Sequence, residues 1–351
     1  MADNIREAQP VGEDDGGLYA PSGSTLLNLA CTDRGSGGYL LGRMINIIGD
    51  SSAGKSFLAL TMLACIVRLK FFKDYRIIYD DAEAALGFDI EKLFGKRLAD
   101  RMEPPRLDED GEPEPSSTIQ DLQDNIHNLC AEGIPFIYVL DSLDSLTSEE
   151  EIGKVAEVRK ARKEGKDAAG DYGVTKPKAM SQMLRMMVRD IMKTLSLLII
   201  ISQTRDNING FGFDKKTRSG GRALKFYSTI EMWLTNLGKI KGKRDRQIGM
   251  NCGIKITKNK ITGKLRQVKF PILYSYGVDD IGSMIDFLVD EKVWKKNKTK
   301  IIATGLRLEE TRSVLIKKIE DNELERDVRK IVTRAWREIE SGLDLGRKLR
   351  F

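Results

Sequence analysis

The octapeptide Gly49–Ser56, GDSSAGKS, constrains this chain more than any other stretch, and it fits G-x-x-x-x-G-K-[ST] at every fixed position. Its flanks restrict the fold further. Met44–Ile48 is a short, mostly apolar run of the kind that forms a buried strand. After Ser56 comes FLALTMLACIVRLK, apolar on nearly every side, as in a buried helix. A strand, a glycine-containing turn and a helix start together make a phosphate cradle. Backbone N–H groups of the turn point inward, and the helix N-terminus adds partial positive charge. Lys55 is placed to reach the β- and γ-phosphates, and the Ser56 hydroxyl to ligate Mg²⁺. A chance match in a flexible loop is the plain alternative; the strand and helix on either side argue against it.

Four strand candidates, Met44–Ile48, Arg76–Tyr79, Phe136–Leu140 and Leu197–Ile201, alternate with helical stretches. That order predicts an α/β fold with a mostly parallel sheet covered on both faces. Before the fourth strand, Met180, Met183, Leu184, Met187, Val188, Ile191 and Leu195 recur at helical spacing, and the stripe reads as core. Residues 1–20 carry Asp3, Glu7, Glu13, Asp14 and Asp15 against Arg6 and read as an acidic, disordered arm, with Leu18 and Tyr19 as anchors. Leu26, Leu27 and Leu29 suggest a short helix. After Gly277 the pattern becomes helical over Ile281–Trp294, Glu309–Asp321 and Glu323–Ile339.

The four cysteines lie far apart and His127 is the sole histidine, so zinc, a disulfide framework and histidine-based catalysis are all disfavoured. A reducing, cytoplasmic setting follows, with no signal segment and no membrane span. The net charge of +6 is modest, and its distribution matters more. Residues 239–269 hold eleven Lys/Arg and one acid, and Ile254 and Ile256 alternate with Lys255 and Lys258, which suggests strands at a basic edge. Residues 152–178 hold eight Lys/Arg and four Asp/Glu, as either a solvated helix or a functional loop.

The chemistry needs further groups at the ends of the strands, where ligands sit in open α/β sheets. IYVLDS supplies Asp141, a second carboxylate for the Mg²⁺ shell. RIIYDDAEAAL supplies Asp80, Asp81 and Glu83. Three carboxylates so close would repel one another without a cation or water nearby. Glu83 is the expected base, and the alternative is that all three are solvated helix-start charges. LLIIIS leads to Gln203, which is placed to hydrogen-bond a γ-phosphate or its water. Behind it, TRDNINGFGFDKKTRSGGRALKF is basic and glycine-rich and carries Phe211 and Phe213. Cations for phosphates and aromatics for bases suit single-stranded nucleic acid.

In this combination the sequence resembles the RecA recombinases of bacteria and phages. GDSSAGKS, YDDAEAAL, VLDSLDSL, MSQMLR, ISQTR, SGGRALKFY and ITKNKI follow the family's order at close to its spacings, over roughly Pro21 to Asp290. SGGRALKFY followed by KNKI is the most specific part. The resemblance implies an ATP site with Mg²⁺, lined by Gly49, Asp50, Ser51, Ser52, Ala53, Gly54, Lys55, Ser56, Phe57 and Asp141, with the metal at Ser56 and Asp141. Glu83 would be the catalytic glutamate and Gln203 the γ-phosphate sensor. Lys178 and Arg185 would belong to a first DNA-binding loop and its flank. Arg205, Ile208, Phe211, Phe213, Arg218, Gly220, Gly221 and Arg222 would belong to a second. Lys258 and Lys260 would reach ATP on a neighbouring subunit; the residues alone would read as a solvated strand face.

The resemblance also implies a domain plan: an arm at 1–20, a RecA-like ATPase core at 21–276 and a small α-rich C-terminal domain with a basic tail at 277–351. Some features depart from the family pattern. Ile90 holds the aromatic adenine-stacking position, with Phe88 as a substitute. The first DNA loop is longer, the docking N-terminal helix is absent or reduced to the acidic arm, and the acidic C-terminal tail is replaced by a basic one. The expected activity is DNA-dependent ATP hydrolysis with homologous pairing and strand exchange by a helical filament on single- and double-stranded DNA. A ring helicase of the same core fold and a non-exchanging recombination mediator are the rivals.

Overall fold

Side-chain alternation along four apolar strands builds this molecule in layers. In the computed structural model, residues 18–163, 175–206, 216–218, 220–343 and 346–347 are described. The chain begins with β1 (Tyr19–Ala20), α1 (Thr25–Thr32), β2 (Tyr39–Leu40), β3 (Arg43–Gly49), α2 (Lys55–Ile66) and β4 (Arg76–Asp80). It continues through α3 (Ile90–Phe94), α4 (Lys96–Arg101), β5 (Met102–Glu103), α5 (Ile119–Glu132) and β6 (Phe136–Leu140). Next come α6 (Glu149–Lys163), α7 (Thr175–Lys193), β7 (Leu197–Asp206), β8 (Lys216–Arg218) and α8 (Gly221–Tyr227). Three long strands follow, β9 (Ile230–Lys241), β10 (Gln247–Asn259) and β11 (Gln267–Leu273), with the short β12 (Gly277–Val278). The remainder is α9 (Asp280–Asp290), β13 (Lys295–Asn297), β14 (Lys300–Ala303), β15 (Leu308–Thr311), α10 (Arg312–Asp321) and α11 (Glu325–Gly342).

The main sheet runs β12-β11-β10-β9-β3-β7-β6-β4-β5. From β9 to β5 neighbouring strands are parallel; from β9 to β12 they are antiparallel. Ile77, Ile137, Val139, Leu197, Ile199 and Ile201 face one core, shared with α1, α2 and the C-terminal helices. Ile78, Tyr138, Leu140, Leu198 and Ile200 face the other, shared with α5, α7 and α8. Strands buried on both faces read as continuous apolar runs, which is why all four expected strands are present. The methionine stripe of α7 is core, as expected. Leu195 departs from it: the residue lies past the helix end at φ 53° and is 43% exposed.

Three expectations change. The end of the arm is ordered: Tyr19, expected as an anchor, and Ala20 are buried in a strand paired with β2, and Tyr19 also packs beneath the Arg34 guanidinium. β7 extends beyond Ile201 to Asp206 and pairs with β8, so the segment between them starts from a short antiparallel ladder. The C-terminal region is not purely helical. A three-stranded antiparallel sheet, β13-β14-β15, occupies what reads as helix ends and a charged loop. Trp294, read as the end of a helix, lies beyond α9, buried, with its indole N–H donating to the Thr304 carbonyl at 3.0 Å. The two helices after this sheet are present, and Val328, Val332, Ala335 and Trp336 form the buried stripe of α11. This region joins the same core as α1 and α2, and Asp280 accepts from the Thr25 N–H and hydroxyl at 2.6 and 2.7 Å. Residues 1–17 lie outside the described residues.

Candidate nucleotide site and its nucleic-acid flank

Strand register sets the site. Gly49 ends β3 level with Gln203 on β7, and Asp80 ends β4 level with Leu140, the residue before Asp141. The P-loop, Gln203, Asp141 and Glu83 therefore come from neighbouring strands at one edge of the sheet. Gly54 at φ +91° turns the loop into α2, and a Cβ there would meet Ile272 and Met250 at 2.7 Å. Glycine is needed for both the left-handed backbone and the close approach. β10 braces the loop from behind, with the Cys252 thiol donating to the Ala53 carbonyl at 3.6 Å.

The cradle fits a triphosphate. Gly54 at the N-cap of α2 has no side chain to cap the first amides, which leaves helix-start donors for an anion. The Lys55 ammonium is buried and donates to the Gly49 and Asp50 carbonyls at 2.9 and 2.7 Å. Burial lowers its pKa, against the pull of Asp141, Glu83, Asp144 and Asp50. Asp141 is buried, and that burial raises its pKa; hydrogen bonds from the Ser56 and Tyr79 hydroxyls oppose the shift. The Tyr79 bond is 2.7 Å. Ser56 and Asp141 thus stand together, as a shared Mg²⁺ shell requires. Among the described residues there is no cluster of three or more His, Cys, Asp or Glu able to hold a metal. A divalent cation here would take its remaining ligands from phosphates and water.

The three carboxylates at and just after the end of β4 go separate ways, which is how they avoid repulsion. Asp80 is fully buried and accepts from the Ser116 N–H at 2.9 Å and the Tyr138 hydroxyl at 2.6 Å. Asp81 accepts from the amides of Ala85 and Leu86 and caps its own turn. Glu83 alone turns into the site. Its Oε1 accepts from the Ser142 hydroxyl and from the Gln203 carboxamide at 2.7 Å. The Glu83 N–H also donates to the Asp141 carbonyl, and the Asp141–Ser142 peptide is cis. Expected base and expected sensor are therefore in direct contact. Phe88, the substitute adenine platform, is 40% exposed and packs edge-on against Phe57, while Ile90 packs onto the core.

The expected DNA residues divide. Lys178 and Arg185 are exposed on α7, and Arg222 is exposed on α8. Arg205 is exposed and pairs with Asp144 at 3.2 Å. Gly220 and Gly221 start α8 at φ 81° and 62°. Arg218 is different: its side chain is 9% exposed and forms an ion pair of 2.9 Å with Glu231, itself 2% exposed. It anchors the return of the loop to the sheet, and its guanidinium does not face solvent. Ile208, Phe211 and Phe213, and residues 164–174 of the basic segment, lie outside the described residues.

Lys258 and Lys260 do not join Lys55. Lys258 Nζ donates to the carbonyls of Lys225 and Phe226, and Lys260 Nζ donates to the Phe226 carbonyl at 3.1 Å. Two cations thus close the C-terminal end of α8. Sequence reasoning missed Tyr79, Ser142 and Asp144. The signal for Asp144 was in VLDSLDSL, where a second Asp follows Asp141 by one helical turn.

Comparison with known proteins gives one consistent result. A family described as the RecA N-terminal domain matches residues 18–279. A protein named Protein RecA from Chlamydia muridarum (strain MoPn / Nigg) is 32% identical over 277 residues, 78% of this chain and 70% of that protein. Counterparts with the same name from Chlamydia trachomatis serovar L2 and Chlamydia caviae are 31% and 30% identical over the same length.

Proposed function

The chain belongs to the RecA family, and from that premise we propose that it is an ATP-dependent recombinase. In this reading it coats single-stranded DNA as a helical filament, pairs it with a homologous duplex and exchanges strands. The observation that carries the reading is the hydrogen bond between Glu83 and Gln203. A base for water attack touches the last side chain before the segment that leads into the basic, glycine-rich loop.

Each residue then has a task. The turn amides, the start of α2 and Lys55 hold the β- and γ-phosphates. Mg²⁺ bound with the triphosphate would neutralise its charge, held by Ser56 and Asp141. Glu83 orients a water and takes its proton, with Ser142 and Gln203 fixing the carboxylate. When Gln203 turns from Glu83 toward a γ-phosphate, the strand that carries Arg205 must respond. Lys258 and Lys260 would leave the end of α8 for the nucleotide of a neighbouring protomer, so that ATP joins protomers end to end. Four free cysteines fit a reducing cytoplasm.

The test is ATP turnover with and without single-stranded DNA. The wild-type chain is expected to be stimulated by DNA, and Lys55→Ala to lose turnover under both conditions. Equal wild-type rates would count against the coupling. Stimulated turnover without strand exchange would identify a mediator instead.

A further inference from the structure

Asp144 has no task in the nucleotide chemistry above, yet three segments meet on it. It lies in the 3₁₀ turn Leu143–Ser145 after β6, with its side chain 13% exposed. Oδ2 accepts the Gln203 backbone N–H at 2.6 Å. Oδ1 accepts from Arg205 Nη2 at 3.2 Å. Its own carbonyl accepts from Lys176 Nζ at 3.3 Å, near the start of α7. The end of β6, the sensor strand and the helix following the basic segment are thereby tied to one residue.

The geometry points to Asp144 as a positioning residue that holds Arg205 back from DNA, competing with a nucleic-acid phosphate for its guanidinium. The inference rests on the single-stranded DNA reading above. Arg205 is 58% exposed, so a phosphate has access to it, whereas Asp144 is largely enclosed and cannot follow it outward. The two acceptors are therefore alternatives. A carboxylate and a phosphate oxygen offer a guanidinium the same charge-assisted bond. When Arg205 leaves for DNA, Asp144 keeps the Gln203 amide, so the sensor strand stays tied to the end of β6.

The exchange shows in the salt dependence of binding. A cation that binds a phosphate releases a counterion from DNA and adds about 0.7 to the slope of log affinity against log salt for single strands. Arg205 contributes that slope when it reaches the strand, and the broken pair with Asp144 lowers the affinity it gains. A purely structural role for Asp144 would not make that loss depend on Arg205.

The experiment measures binding of a labelled oligo-dT strand across a salt series, with a slowly hydrolysed ATP analogue present. Four proteins are compared: wild type, Asp144→Asn, Arg205→Gln and the double variant. Asp144→Asn keeps an acceptor for the Gln203 N–H and removes the charge. It is expected to bind about two- to fivefold tighter, since a partly exposed ion pair no longer opposes binding. Arg205→Gln should bind more weakly, make the slope shallower by about 0.7 and abolish the gain in the Asp144→Asn background. Additive effects, or Asp144→Asn binding no tighter than wild type, would overturn the inference. An Arg205→Gln slope equal to wild type would overturn it too, even where Asp144→Asn fails to fold. A wild-type chain that binds no oligo-dT would instead sink the recombinase reading, and this inference with it.

Discussion

Glu83 is solvent-exposed, yet its carboxylate is fixed at one oxygen by two donors, Ser142 and Gln203. A carboxylate held that way serves as a base without a search for its geometry. Glu83→Gln should retain nucleotide binding and lower turnover by about 10²- to 10⁴-fold, measured as kcat against nucleotide affinity. Unchanged kcat would mean that another group activates the water. Lys258 gives a pH signature. Burial, then the charge of Lys260 and the contact with it, and more weakly Lys225, lower its pKa from 10.5 to about 8, while Glu231 opposes the shift. Folding thus releases a proton between pH 8 and 10.5. The charged form opposes folding below about 8, and stability rises with pH across that window. The functional sign is opposite, because a neutral lysine cannot grip phosphate. Nucleotide-dependent association of protomers should weaken above about pH 8. Lys258→Arg, always charged, should flatten that alkaline limb in a sedimentation series.

Between elements, the pairing of Arg218 on β8 with Glu231 on β9 holds the loop return against the sheet. The Thr257 hydroxyl donates to the same glutamate at 2.8 Å and extends the tie to β10, one residue before Lys258. Arg218→Ala should cost about 3 kcal/mol by leaving a buried carboxylate unpaired, read as a lower denaturant midpoint. Adding Glu231→Ala should recover part of that loss; purely additive costs would deny the coupling. This pair also shows where sequence reading stops. Arg218 sits in a basic, glycine-rich run, and composition alone places it on DNA. Its acceptor is thirteen residues away on another strand, beyond the reach of any local pattern. The four central strands were legible because both faces are buried and the runs are unbroken. β13 to β15 were not, because Lys295–Asn297 is wholly exposed and the other two strands are four residues each. The P-loop and Asp141 were legible from spacing. That Asp80 stays out of the site depends on Tyr138 and Ser116, which only the tertiary fold brings near, whereas Asp81 is held by amides four and five residues on.

At the scale of the whole molecule, the P-loop, Glu83 and Gln203 lie together at one edge of the sheet, while Lys258 and Lys260 are held at the end of α8. Within one protomer these two lysines meet helix carbonyls; in the proposed assembly they would reach the nucleotide of the next. The main sheet and the C-terminal region share one apolar core, so a protomer would add to an assembly as a unit. The most direct measurement is electron microscopy of the chain with single-stranded DNA and a slowly hydrolysed ATP analogue. Helical filaments are expected with DNA and nucleotide, and their loss in a Lys258→Ala, Lys260→Ala double variant. Closed rings, or protomers that stay dispersed on the strand, would contradict it.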